Sequence, residues 1–294
     1  MNEVTSRLNY TAPLDLYLRE KPFYSNVPAP NGVQSNQKVQ TYEDIVFHDI
    51  RRNIGRFNID DQGFEVIEYA GKIPQDGEFD SDIWVRSSYY PAVERVLKER
   101  FGDVDVLIFD HTTANHFERG GAHPNSHGNR VYVHTPVYSA LDGANRVRLH
   151  TSEEAARLLK QRCQIINVWR PLFGPLENSP LTFCDYKTVD IDRDYLAADL
   201  IFPHYIGEQY LVKHHPNHRW HFLSNQRPEE FTLMKCWDNK PDVARCAATI
   251  AHYLQCADQK SHVGVTHTSF SNPNASRNAR LRESIEVRCL VFHK

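Results

Sequence analysis

Short apolar runs separated by turn residues fill the second half of the chain. Segments 165–169, 181–184, 210–212, 220–223, 231–236, 264–270 and 285–292 are rich in branched and aromatic residues, and each reads as a strand. Residues 224–228, Ser-Asn-Gln-Arg-Pro, separate two of them as a turn. Many short strands with turns between them predict a sandwich or barrel, its two sheets built mainly from residues 104–292. Earlier in the chain, 104–109 reads as a strand and 131–134 alternates like one. Segments 57–59 and 64–67 flank Asp60-Asp61-Gln62-Gly63 as a hairpin.

Helical periodicity is rarer. Val93, Val96 and Leu97 mark one face of a helix over 90–101, with Pro91 in its first turn and Gly102 just past its end. Ser152 followed by Glu153 and Glu154 predicts a capped helix over 152–160. Val243, Ala247, Ile250, Ala251 and Leu254 predict another over 242–257. Residues 110–130 read as a loop carrying His111, His116, His123 and His127, long enough to expect a function or local disorder there. Residues 1–40, rich in Asn, Pro, Ser and Tyr, read as an N-terminal arm and leave 41–294 as one domain.

Composition narrows the class. The 294 residues carry a formal net charge of −3 with the signs intermixed, so no basic stripe points to nucleic acid. No apolar run approaches the roughly 20 residues of a membrane helix, and no secretory signal is visible. The expectation is a soluble, cytoplasmic protein with a small-molecule substrate, acting as a homo-oligomer or beside a partner enzyme. Cys163, Cys184, Cys236, Cys246, Cys256 and Cys289 contain no CxxC pair and read as buried reduced thiols. The run 213–218, with His214, His215 and His218, and His221 just beyond it, reads as a surface turn rather than a metal cluster.

Four blocks carry more specific information. They are Ile166-Asn167-Val168-Trp169-Arg170-Pro171-Leu172, the stretch from His218-Arg219-Trp220-His221 to Pro228-Glu229-Glu230, Met234-Lys235-Cys236-Trp237-Asp238, and His267 with Arg282-Glu283-Ser284-Ile285-Glu286. In this order and spacing they resemble the asaB-type hydroxylase/desaturase family over roughly residues 45–292. The resemblance implies an all-β core with peripheral helices, a double-stranded β-helix (jelly roll, cupin-like). It also implies an oxidoreductase that tailors a small organic metabolite in secondary metabolism, with Fe(II) and 2-oxoglutarate as cofactors. Metal ligands in such enzymes are a His-x-Asp pair on an early strand and one distant histidine, and a later arginine grips the co-substrate. His267 matches the distant histidine and Arg282 the arginine. At the early pair this chain departs: Tyr132 stands in the histidine's place and His134 in the aspartate's.

His134 and His267 are therefore the metal candidates, and Tyr132 with His134 the catalytic ones. Alternate strand residues share a face, so Tyr132 and His134 are placed together, with Asp110, His111 or a loop histidine open to complete the set. The departure also admits a metal-independent cyclase, isomerase or dehydratase with Tyr132 and His134 as acid and base, or a non-catalytic partner subunit. Asn167 and Trp169 share one strand face and offer an apolar wall with one amide, suited to an organic substrate, although Trp169 suits the core equally. Arg282 reads as a fork for a carboxylate or as an internal bridge to Glu283, Glu286 or Asp238. Arg288 alternates with Ser284 and Glu286 and is a substrate-binding candidate on the same face, about 20 Å from Arg282.

Overall fold

The computed structural model describes residues 3–27, 32–71, 78–114, 134–135, 140–203, 205–240 and 265–294. In chain order the strands are β1 (Glu3–Thr11), β2 (Phe23–Ser25), β3 (Val39–Asp49), β4 (Phe64–Glu68), β5 (Val104–Ala114), β6 (His134–Thr135) and β7 (Cys163–Pro171). They continue with β8 (Leu181–Cys184), β9 (Tyr195–Phe202), β10 (Tyr205–Val212), β11 (Trp220–Phe222), β12 (Glu230–Asp238), β13 (His267–Ser269) and β14 (Ser284–His293). A nine-stranded sheet runs β1-β3-β11-β8-β13-β6-β10-β9-β2, and a five-stranded sheet runs β4-β12-β7-β14-β5. The two curled sheets make the jelly roll that the sequence leads one to expect. The first 68 residues give four of its strands, so the sheets draw on more of the chain than 104–292.

Alternation along the strands decides what lies between the sheets. Phe64, Trp169 and Met234 of the smaller sheet meet Leu181 and Phe183 of the larger one, with Val265, in a single buried cluster. On the opposite face of the smaller sheet, Ile285, Val287, Cys289 and Val291 lie under Val93, Val96 and Leu97 of the helix Tyr90–Phe101. That helix begins with Pro91 and ends at Gly102, which adopts φ 79° and donates its N–H to Lys98 O, as the sequence predicts. Leu290 and Phe292 face the other way and meet Val147 and Leu158. No helix among the described residues is long and apolar enough to cross a membrane. Cys163, Cys184, Cys236 and Cys289 are buried free thiols, while Cys246 and Cys256 lie outside the described residues.

Several local expectations are corrected. No strand forms at 57–59, and β4 pairs with β12 instead. Asn58 Oδ1 accepts the N–H groups of Asp60 and Asp61, which holds a tight turn, and the Asp60 carboxylate is drawn to Lys235 and Arg162. The supposed loop from 110 begins as strand, because β5 stays paired with β14 through Ala114 past a bulge at Arg288/Cys289. Ser152 does not cap a helix. It sits at φ 45° after a helix Ala140–Thr151, and only a short 3-10 turn and Ala155–Leu158 follow. His218 and His221 are not on a surface turn. The His218 side chain is buried against Asp194 (2.9 Å), and His221 lies within β11 at 5% exposure. The helix expected at 242–257, and residues 131–133, lie outside the described residues.

A buried ion network pins β12 to its neighbours. Lys235 is 1% exposed and bonds Asp60 and Asp238. Arg162 spans the same two carboxylates at 2.6 and 2.7 Å, and Gln164 Nε2 donates to Asp238 at 3.0 Å. Every charge in the group has an opposite partner, the condition under which buried ions are tolerated.

Candidate active site

One transverse row of the larger sheet brings the histidines together. Read across the ladder it runs His48 on β3, His221 on β11, Phe183 on β8, His267 on β13, His134 on β6 and Leu211 on β10. Directly opposed residues share a sheet face. Phe183 belongs to the cluster between the sheets, so the row faces the interior. His134 and His267, singled out from the sequence, are thus immediate cross-strand neighbours. Tyr132 lies outside the described residues.

The His267 ring is held in one tautomer. Its Nδ1 is 3.0 Å from Val265 O. A carbonyl only accepts, so Nδ1 carries the proton and Nε2 carries the lone pair, the arrangement a metal-binding histidine needs. His267 is 5% exposed. Among the described residues no three His, Cys, Asp or Glu side chains converge to hold an ion. Neither Asp110 nor His111 completes the pair. Asp110 is bonded to Arg288, and His111 Nδ1 meets Tyr90 Oη at 2.8 Å against the outer helix. His116, His123 and His127 lie outside the described residues.

Arg282 lies two residues before β14. Nη1 donates to Ser179 O at 3.2 Å, while Nε is buried without a partner. Burial pulls its pKa down to about 10, with Glu286 acting in the opposite direction. It forms no bridge to Glu283, Glu286 or Asp238, so the internal-bridge reading fails. A guanidinium with an orphaned buried N–H fits the carboxylate of a small acid, which would complete its fork.

Across the interior, the smaller sheet presents Trp169, Asn167, Glu286 and Arg288. Glu286 pairs with Trp169 in the ladder, and Arg288 with Asn167. Trp169 is 4% exposed within the core cluster. Arg288 is committed to Asp110 and Glu286. Arg170 takes the opposite face, stacked over Phe79, Tyr89 and Phe231. Sequence reading put Glu286 on the face of Arg288 and offered Asp110 as a metal ligand, but it gave neither carboxylate its ion pair with Arg288. The Asp110 pair becomes legible only once β5 is known to extend through residue 114 beside β14.

Comparison with known proteins gives a consistent picture. A family model described as an oxidoreductase/YMDC permease-like domain matches residues 8–292. The hydroxylase/desaturase efuI of Hormonema carpetanum is 30% identical over 281 residues, covering 88% of this chain and 87% of that one. Aspirochlorine biosynthesis protein N of Aspergillus oryzae is 39% identical over 159 residues, spanning 53% of this chain and 59% of that protein's length. The Fe(II)/2-oxoglutarate-dependent dioxygenase nvfI of Aspergillus novofumigatus is 26% identical over 281 residues, covering 95% and 93%. Its solved structure, described as an iron and alpha-ketoglutarate-dependent endoperoxidase, superposes with a TM-score of 0.79 at 24% identity over 99% of this chain and 98% of that one. That likeness establishes the fold.

Proposed function

The chain belongs to the oxidoreductase family that holds the asaB-type hydroxylase/desaturases, and on that premise we propose that it hydroxylates or desaturates a small organic metabolite of secondary metabolism, using Fe(II) and 2-oxoglutarate. The observation that carries the reading is the direct opposition of His134 and His267, with His267 Nε2 left as the lone-pair nitrogen. His267 and His134 are the proposed metal ligands, and Tyr132, the alternate residue on the same segment, is the proposed catalytic neighbour. Arg282 is the proposed co-substrate residue, supported by its orphaned Nε. Asn167, Trp169 and Arg288 are the proposed substrate wall. The division into an arm over 1–40 and one catalytic domain over 41–294 belongs to the same proposal.

The donor set fits iron in part. Two imidazoles on neighbouring strands suit it, but an imidazole in the aspartate's place removes the hard oxygen donor that iron of this class favours. Bound there, iron supplies the activation of dioxygen. The chain's own residues do the rest. Val265 O holds the His267 ring, Arg282 orients the co-substrate carboxylate, and Phe183, Trp169 and Met234 keep bulk water from the interior.

The test is an anaerobic Fe(II) titration followed by a 2-oxoglutarate turnover assay. The reading expects saturable Fe(II) binding and turnover that a chelator abolishes and Fe(II) restores. Tyr132 and His134 in place of an imidazole–carboxylate pair support a second reading, an acid–base cyclase, isomerase or dehydratase. Substrate conversion by metal-free protein would favour it over the first.

A further inference from the structure

The inner face of the smaller sheet carries a polar patch in an otherwise apolar wall. Arg288 on β14 lies opposite Asn167 on β7 and Asp110 on β5. Its guanidinium is held by Asp110 (2.6 Å) and Glu286 (3.0 Å), and it also donates to Thr112 Oγ1 (3.1 Å). Two carboxylates therefore share this guanidinium, so Arg288 has little attraction left for a substrate anion.

Asn167 adds a second, independent observation. It is 1% exposed. Its Nδ2 donates to Glu286 Oε1 at 3.1 Å, and because a carboxylate only accepts, the amide orientation is fixed. That leaves Oδ1 buried with no partner. A buried acceptor without a donor is unfavourable, and native proteins rarely leave one. The patch is within reach of solvent: the Arg288 and Glu286 side chains are 21% and 17% exposed, and Asp110 at the β5 edge is 53% exposed.

We propose that the substrate binds through a hydrogen-bond donor, an alcohol or an amine, seated on Asn167 Oδ1, and that this wall turns carboxylic acids away. The inference rests on the reading of this interior as the substrate chamber. A hydroxyl or ammonium group at Asn167 gives Oδ1 its missing donor. An ammonium also gains from the nearby Glu286. A substrate carboxylate would set acceptor against acceptor and meet Glu286 as a like charge. Arg282 stands apart near the start of β14 and keeps its own carboxylate, that of the co-substrate.

Benzyl alcohol, benzylamine and benzoate form a matched probe set. Each is titrated by ligand-observed NMR into the full-length, metal-free protein, with 2-oxoglutarate in excess to fill Arg282. The proposal expects the alcohol and amine to bind saturably and to compete with each other, and benzoate to bind more weakly than both. Asn167→Leu should weaken the alcohol about fivefold, the scale of one uncharged hydrogen bond. Glu286→Gln should narrow the gap between benzylamine and benzoate. Benzoate binding as well as the alcohol, an unchanged alcohol affinity in Asn167→Leu, or no saturable binding by any probe would overturn the proposal. None of these titrations depends on iron, so failure of the iron and 2-oxoglutarate reading shows separately, as absent Fe(II)-dependent turnover.

Discussion

His134 stands directly opposite His267 where β6 pairs with β13. Opposed residues have Cβ atoms about 5 Å apart on one face, a span from which two imidazoles can meet one ion at about 2 Å each. We expect His267→Ala to weaken Fe(II) binding by more than the roughly 10- to 100-fold that loss of an outer-shell partner costs. Anaerobic titration calorimetry measures it. An unchanged affinity would put the metal elsewhere in the chain.

Reversal of the altered pair tests the same geometry from the other side. Tyr132→His combined with His134→Asp puts a histidine and an aspartate two positions apart in the segment that carries His134, the residue opposite His267. The restored oxygen donor should raise Fe(II) affinity above that of the natural chain. The readout is the dissociation constant of the double variant against wild type. If it binds iron no better, the pocket does not use the early pair as ligands, and acid–base chemistry with Tyr132 and His134 gains weight.

Stability should depend on the ion network around Lys235. Asp238→Ala strips one carboxylate from a 1%-exposed lysine and from Arg162. Breaking a buried pair in this way costs about 3–5 kcal/mol, to be read as a lower urea midpoint. Asp60 gives the network a pH signature. Burial raises its pKa, but Lys235 and Arg162 outweigh that and hold it at about 2. A depressed carboxylate contributes stability above its ordinary pKa of 3.8 and loses it as pH falls toward 2. Asp60→Asn should flatten acid unfolding in that window, by a modest amount since the side chain is 38% exposed.

Legibility in the sequence followed the range of the forces. Strands β7, β8, β11, β12 and β14 were readable because their apolar runs are local and their turns are marked. Strand β9 was not, because Asp199 interrupts its pattern, and Lys21, from a distant segment, compensates that charge. The helix Ala140–Thr151 was hidden by Gly143, a poor helix former whose role is tertiary: a Cβ there would collide with the Trp237 indole. The candidate histidines and arginine came from the family resemblance. Their register did not, since the opposition of His134 to His267 and the commitment of Arg288 to two carboxylates depend on pairings between segments far apart in sequence.

His221 gives the last prediction. It lies two strands from His267 on the same row, with rings of Phe57 and His48 at 4.9 and 5.6 Å. Both of its ring nitrogens are buried without partners. Burial, helped by His48 and Arg219, pushes its pKa down to about 4 from the usual 6.5. The folded protein therefore resists protonation there while the unfolded chain accepts it. The sign follows: the protonation penalty is absent above pH 6.5, and stability falls as pH drops from 6.5 toward 4. His221→Phe removes both orphaned nitrogens and the titrating group while keeping a flat ring among aromatic neighbours. It should leave stability near neutral pH unchanged or higher and make it less steep in pH between 6.5 and 4. Urea unfolding at a series of pH values compares the two slopes. A variant with an unchanged slope would mean that His221 is hydrated or paired in solution, and its buried nitrogens would then impose no penalty on folding.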